Sequence, residues 1–167
     1  MIVLRCTRKL LDRVGSPPVG NPPASSSLLG DWYAKPFQIG PKRLILLMSG
    51  TSRLPVVMHG RDVANLGRNF PEALGAVLFE IGVPGPMVAA EIEHSREFVY
   101  ATTDSRSMLG SLNDFAFMAQ HGVRDGGEID AVELSVELSG TPIVAANFGF
   151  PRDITLGLFG LERRRAF

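Results

Sequence analysis

The chain has 167 residues, 45% of them hydrophobic and 20% charged, and its seventeen basic side chains balance seventeen acidic ones. That is the composition of one ordinary globular domain, long enough to bury about two thirds of its unfolded surface. It excludes a disulfide scaffold or cysteine metal cluster, because Cys6 is the sole cysteine, and a membrane-spanning helix, because no run approaches about 18 apolar residues. Arg5, Arg8, Lys9 and Asp12 break any apolar core a signal peptide would need, so a cytoplasmic protein with no membrane partner is expected.

The charge is unevenly spread. Residues 1–61 hold nine Lys/Arg against two Asp/Glu, residues 62–150 four against thirteen, and residues 151–167 four against two. A basic first third could meet nucleic acid or an acidic protein. Mutual neutralisation of the two regions inside one fold is the plainer account.

Taken in order, Ile2, Val3 and Leu4 begin a strand, and Arg8–Val14 reads as a short helix with Thr7 before it and Gly15 after it. Residues 16–27 carry four prolines, one glycine and four serines and read as a mobile loop. The stretch 28–39 reads as extended, interrupted by Pro36. Leu44–Met48 is a continuous apolar run, the mark of a strand covered on both faces, and Leu54–Met58 is a third strand with Pro55 at an edge or entry position. Short connections between them favour an antiparallel meander.

The middle turns helical. Phe70, Leu74, Val77, Leu78 and Ile81 share a helical face, with Asn69 and Pro71 as its start. Pro86–His94 predicts a second helix with Val88 and Ile92 inward, and Phe98–Thr102 a brief strand. The 130–139 stretch alternates like a strand, but Asp130 with Glu133 makes a capping pattern and favours helix. Ile154–Leu161 suits a final strand or docked tail, and 162–167 a frayed end.

The most site-like stretch is Thr102–Gly122. Met108, Leu109, Leu112, Phe115, Ala116 and Ala119 form one apolar stripe, and Asp104 or Ser105 can cap the first amides. Arg106, Gly110 and Asn113 line another side, with Asp114 beside them. Gly110 inside a helix costs about 1 kcal/mol relative to Ala, which a close neighbour would explain. The polar start, with Arg106 and Ser107, could hold an anion. Capping plus an Arg–Asp pair is the simpler reading.

No other constellation carries chemistry. His59, His94 and His121 lack metal-ligand spacing, and no nucleophile elbow, phosphate loop or dinucleotide fingerprint occurs. No cofactor and no metal is therefore expected, and no catalytic residue is assigned. Trp32 and Tyr33, as strand neighbours, point to opposite faces; an exposed one could stack on a base, although a core anchor plus a surface ring is simpler.

Three segments carry a resemblance: MIVLRCTRKLLDRV at 1–14, LLGDWYAKP at 28–36 and TTDSRSMLGSLNDFAF at 102–117. With the end at Leu138–Pro142, they resemble a bacterial family of unknown function whose members look similar to the N-terminal region of plasmid ORF-3-like proteins. Lys35 and Asp104 stand where that pattern has Asn. The resemblance implies a small cytoplasmic α+β protein.

The expected fold is a single α+β domain over 1–167, with a small, mainly antiparallel sheet packed against a layer of helices from 62–140. Expected core residues are Val3, Leu46, Val56, Leu74, Leu78, Leu109, Leu112 and Phe115. Arg5, Arg106, Asn113 and Asp114 are expected near one another where the first strand and Phe98–Thr102 end, with Asp114 or a bound anion satisfying Arg5. The favoured function is a non-enzymatic binding or regulatory protein acting on a protein partner or nucleic acid. The alternative is an enzyme for an anionic or phosphorylated small molecule, in which Arg106 holds the anion, Ser107 flanks it, Asn113 orients the substrate and Asp114 carries the proton.

Overall fold

The computed structural model describes residues 1–122, 126–144, 147 and 149–162. Five strands, β1 (Ile2–Cys6), β2 (Trp32–Ile39), β3 (Lys42–Ser49), β4 (Pro55–His59) and β5 (Phe98–Thr102), form one sheet in the order β4-β3-β2-β1-β5. The α+β class read from the sequence is the one found. The sheet is mixed: β2, β3 and β4 are an antiparallel meander, whereas β1 runs parallel to both β2 and β5.

Alternation along each strand fills two cores. Ile2, Leu4, Cys6, Trp32, Ala34, Ile45, Leu47, Val56 and Met58 face one side, where they meet α1 (Arg8–Val14), α2 (Leu66–Ile81), α3 (Gly85–Ser95) and α6 (Pro151–Leu158). Tyr33, Phe37, Leu44, Leu46, Met48 and Val57 face the other, under α4 (Arg106–His121) and α5 (Ala131–Ser139). Helices thus cover both faces, which is why β3 is buried at Leu44 through Ser49. All the expected core residues are buried except Leu109, which is partly buried at the margin of the second core.

Pro36 sits within β2 without breaking it. The Ala34 carbonyl accepts from Thr7 N, so the backbone of Ala34 and Pro36 faces the β1 side. β1 has ended by then, at the Cys6–Ala34 pair, and no partner there needs the missing amide.

Both sheet edges are covered. The buried Val57 N–H of β4 donates to Ser135 Oγ of α5 at 2.8 Å, and the Tyr100 carbonyl of β5 accepts from Val19 N at 2.7 Å. These contacts occupy groups that would otherwise template another strand. Val19 belongs to the 16–27 segment, which carries no helix or strand but is tied to β1 as well, through Ser26 N to Met1 O and Val3 N to Ser25 Oγ.

Three expectations need correction. α2 begins a turn earlier than Asn69, at Leu66, after a 3-10 segment over Gly60–Asn65. Its first turn is set by packing: a Cβ on Gly67 would lie 2.3 Å from the Phe98 ring, and Gly67 N donates to Tyr100 Oη. Pro71 therefore lies inside the helix. The 154–161 stretch is not a strand: residues 154–158 lie in α6, which opens with Pro151 and docks, in keeping with the other alternative, through Thr155 Oγ1 on Ser52 Oγ at 2.8 Å. Gly110 has no close neighbour: a Cβ there would meet nothing within 4 Å. Helix is found over 131–139, capped by Asp130 on Glu133 N. The frayed end expected at 162–167 lies outside the described residues beyond Glu162.

Candidate functional site

The strands β1, β2, β4 and β5 all end on one side of the sheet. At the adjacent parallel strands β1 and β5, the following helices depart to opposite faces, α1 to the first core and α4 to the second. A crevice outside the carboxyl ends of such strands is where open sheets of this kind bind ligands. Thr7, Thr102 and Thr103 lie there, Cys6 pairing with Thr102.

Arg5 leads into this region from the α4 face of β1. Its Nε donates to Asp31 Oδ2 at 2.7 Å and its Nη1 to the Thr102 carbonyl at 3.1 Å, with Asp104 Oδ2 at 3.4 Å. Asp31 also accepts from Ser25 Oγ at 2.6 Å, and Asp104 accepts from Tyr33 Oη at 2.5 Å. Burial opposes the Arg5 charge, but the Asp31 hydrogen bond and the charges of Asp104 and Asp31 outweigh it and raise its pKa. Burial, reinforced by Asp104, pushes Tyr33 up to about 12. Arg5 is therefore closed into a structural network.

Asp114 takes no part in it. Asp114 and Arg106 are exposed, and no ion pair joins them among the described residues. Asn113 is exposed and accepts from Lys35 Nζ at 2.7 Å, so α4 contacts β2 rather than Arg5 at this point. The structure thus brings Arg5 and Tyr33 together and leaves Asn113, Asp114 and Arg106 on the outer surface of α4. Neither aromatic expected as a stacking platform is open: Trp32 is 0% exposed and edge-to-face with Phe70, and Tyr33 is 6% exposed.

Ser107 has a partner the sequence did not suggest. Arg53, in the turn between β3 and β4, donates from Nη1 to Ser111 Oγ at 2.8 Å and reaches the Ser107 carbonyl and hydroxyl at 3.4 Å. Its φ of 64° is in the left-handed region, where a side chain is strained. Ser49 holds that turn, donating to Leu29 O and accepting from the Thr51 and Ser52 amides. Burial lowers the Arg53 pKa, and its guanidinium meets only neutral oxygens among the described residues. Ser105 Oγ, not Asp104, caps α4, accepting from Met108 N.

Several other cations lie on or beside the strand segments at this end of the sheet. Lys9 of α1 is close enough to Lys35 to lower its pKa, after the larger effect of burial. A Cβ on Gly60 would lie 2.9 Å from the Arg43 carbonyl, so Arg43 and Arg61 flank a tight crossing. Lys42 opens β3 opposite Ile39, and its Nζ donates to the Gly127 carbonyl. Three ion pairs occur among the described residues, Arg5–Asp31, Arg5–Asp104 and Arg96–Glu93. One of them joins the basic first third to the acidic middle. Among the described residues, direct ion pairing therefore does not neutralise Lys9, Lys35, Lys42, Arg43 or Arg61.

Among the described residues no group of three or more His, Cys, Asp and Glu is placed to hold a metal ion, and no helix is long and apolar enough to cross a membrane.

The chain belongs to the family described as Domain of unknown function (DUF6933), which matches residues 3–154. No curated protein and no solved structure matches it.

Proposed function

We propose that this chain is a non-enzymatic binding protein of the bacterial cytoplasm that engages nucleic acid through the basic edge formed by Lys9, Lys35, Lys42, Arg43 and Arg61. The observation that carries this reading is the lack of ion pairs to those cations among the described residues. Cations on one edge without a carboxylate partner among the described residues would produce a surviving positive field, which attracts phosphates and releases their counterions. The closed state of Arg5 also weighs against an arginine waiting for a substrate there. The likeness to the N-terminal region of plasmid ORF-3-like proteins belongs to the same reading.

Fluorescence anisotropy with a labelled duplex, repeated at rising salt, tests it. Each phosphate contact should contribute about −0.9 to the slope of log affinity against log salt. The double variant Lys9→Glu with Arg43→Glu should abolish binding while leaving the unfolding midpoint close to that of the parent. Absence of binding at low salt, or binding indifferent to the charge reversal, overturns the proposal. Salt-sensitive capture of an acidic protein by the same edge would assign it to a protein partner.

A second reading, an enzyme acting on an anionic small molecule, is favoured by Arg53 alone. A strained residue holding an ion-pair-free guanidinium beside Ser107 at the start of α4 could clamp a phosphate. Inorganic phosphate titrated against the 1H–15N spectrum should then shift the Ser107 amide in the parent and not in Arg53→Gln.

A further inference from the structure

At the opposite end of β1, beside Met1, a cavity of about 270 Å³ opens between α3, the C-terminal end of α6 and the chain before β2. Leu28, Met87, Ala90, Leu158 and Phe159 make its walls apolar, and Leu28 and Met87 are 51% and 40% exposed. Two groups in it depart from that character, the exposed His94 and the buried Glu91. Glu91 lines the cavity yet is 3% exposed, on the inward face of α3 together with Val88 and Ser95. The sequence places it three residues after Val88, where an apolar side chain would ordinarily sit.

Glu91 is the sole charged residue among the fully buried polar side chains of the described part. Its described hydrogen-bond partner is Ser27 Oγ, and it forms no ion pair among the described residues. The Met1 ammonium donates to Ser26 Oγ at 2.8 Å and His94 Nδ1 contacts the same hydroxyl at 3.0 Å, and neither group pairs with Glu91 among the described residues. A carboxylate withdrawn from water with one hydroxyl partner is costly unless a cation completes it. Glu91 lines a cavity with room for one, and the apolar walls suit the body that such a cation would carry.

We propose that this cavity is a binding site for a small organic cation, an ammonium group on an apolar body, with Glu91 as the charge partner and Leu28 and Met87 enclosing the body. The site is separate from the basic edge, and its occupant carries the opposite charge. It stands whether or not that edge binds nucleic acid.

Benzylammonium is a suitable probe, with benzyl alcohol and benzoate as its neutral and anionic counterparts. Methyl resonances of Leu28 and Met87 should shift saturably with benzylammonium. Benzyl alcohol should bind at least about tenfold more weakly, the loss of one charge-assisted hydrogen bond, and benzoate should not bind. Glu91→Gln, which keeps size and the Ser27 contact, should lose the preference for the cation. If that variant fails to fold, Ala90→Trp at the exposed rim fills the mouth and should abolish the shifts with Glu91 intact. Equal affinity for the cation and the alcohol overturns the proposal. So does the lack of a saturable shift at Leu28 and Met87 up to the solubility of benzylammonium, or binding unaffected by both variants.

Discussion

Arg5 takes acceptors from three distant parts of the chain: Asp31 before β2, the Thr102 carbonyl at the end of β5, and Asp104 before α4. Replacing it with Met would leave two carboxylates beside each other without their cation. Arg5→Met should lower stability by about 1–3 kcal/mol, read from denaturant unfolding, because hydrogen bonds to charged groups exceed neutral ones and these are partly buried. Arg106→Leu, at an exposed position with no described partner, should leave the midpoint unchanged. Alkaline titration gives a second check at this scale. Burial pushes the Cys6 thiol up to about 12 from 9.0, and burial with Asp104 pushes Tyr33 up to about 12 from 10.0. Above the ordinary values the unfolded chain gives up these protons and the folded chain keeps them. Stability is therefore fully present below about pH 9 and falls as pH rises towards about 12. Tyr33→Phe should flatten that loss above about pH 10, and Cys6→Ala should flatten it from about pH 9.

Among the elements, α4 shows how local rules and packing divide the work. Ser105 caps it, and Leu112, Phe115, Ala116 and Ala119 bury its stripe against β2 and β3. Ser105→Ala should cost about 0.5–2 kcal/mol and Leu112→Ala about 2–5 kcal/mol in denaturant unfolding. Gly110→Ala should instead stabilise by up to about 1 kcal/mol, because a Cβ there meets open space and the helix gains propensity. Gly67→Ala runs the other way, since its Cβ would enter the Phe98 ring. The two substitutions share a helical setting and differ in what lies outside the helix. α5 has a different role, covering the β4 edge, so Ser135→Ala would strand the Val57 amide at a cost of about 1–3 kcal/mol.

For the whole molecule, the consequence of sparse ion pairing is a separation of two salt responses. Stability rests on two apolar cores and a covered sheet, so the unfolding midpoint should move little between about 0.05 M and about 0.5 M salt. Duplex affinity, if carried by the basic edge, should collapse over the same range. A parallel fall of both quantities would place the charge in the fold rather than in the interface.

The sequence by itself determined the elements whose signals are local. The bounds of α1, the strand Phe98–Thr102, a polar cap for α4 at Asp104 or Ser105 and the Asp130–Glu133 cap of α5 all follow from residues within one or two turns. The buried character of β3 was legible for the same reason, as an unbroken apolar run. Tertiary structure decided what depends on meetings across the chain. Gly67 could start α2 early because Phe98, thirty-one positions away, leaves no room for a side chain. Pro36 could stay in a strand because β1 stops beside it. Asp31, rather than Asp114, met Arg5 because parallel pairing sets β1 against β2 and β5, while two turns of α4 carry Asp114 out of reach. Arg53 and Glu91 lay in a turn and on a helix face with no motif around them. Periodicity reports which face of an element is buried, but the charges and hydroxyls gathered there come from other elements, and that gathering is fixed by strand order and helix placement.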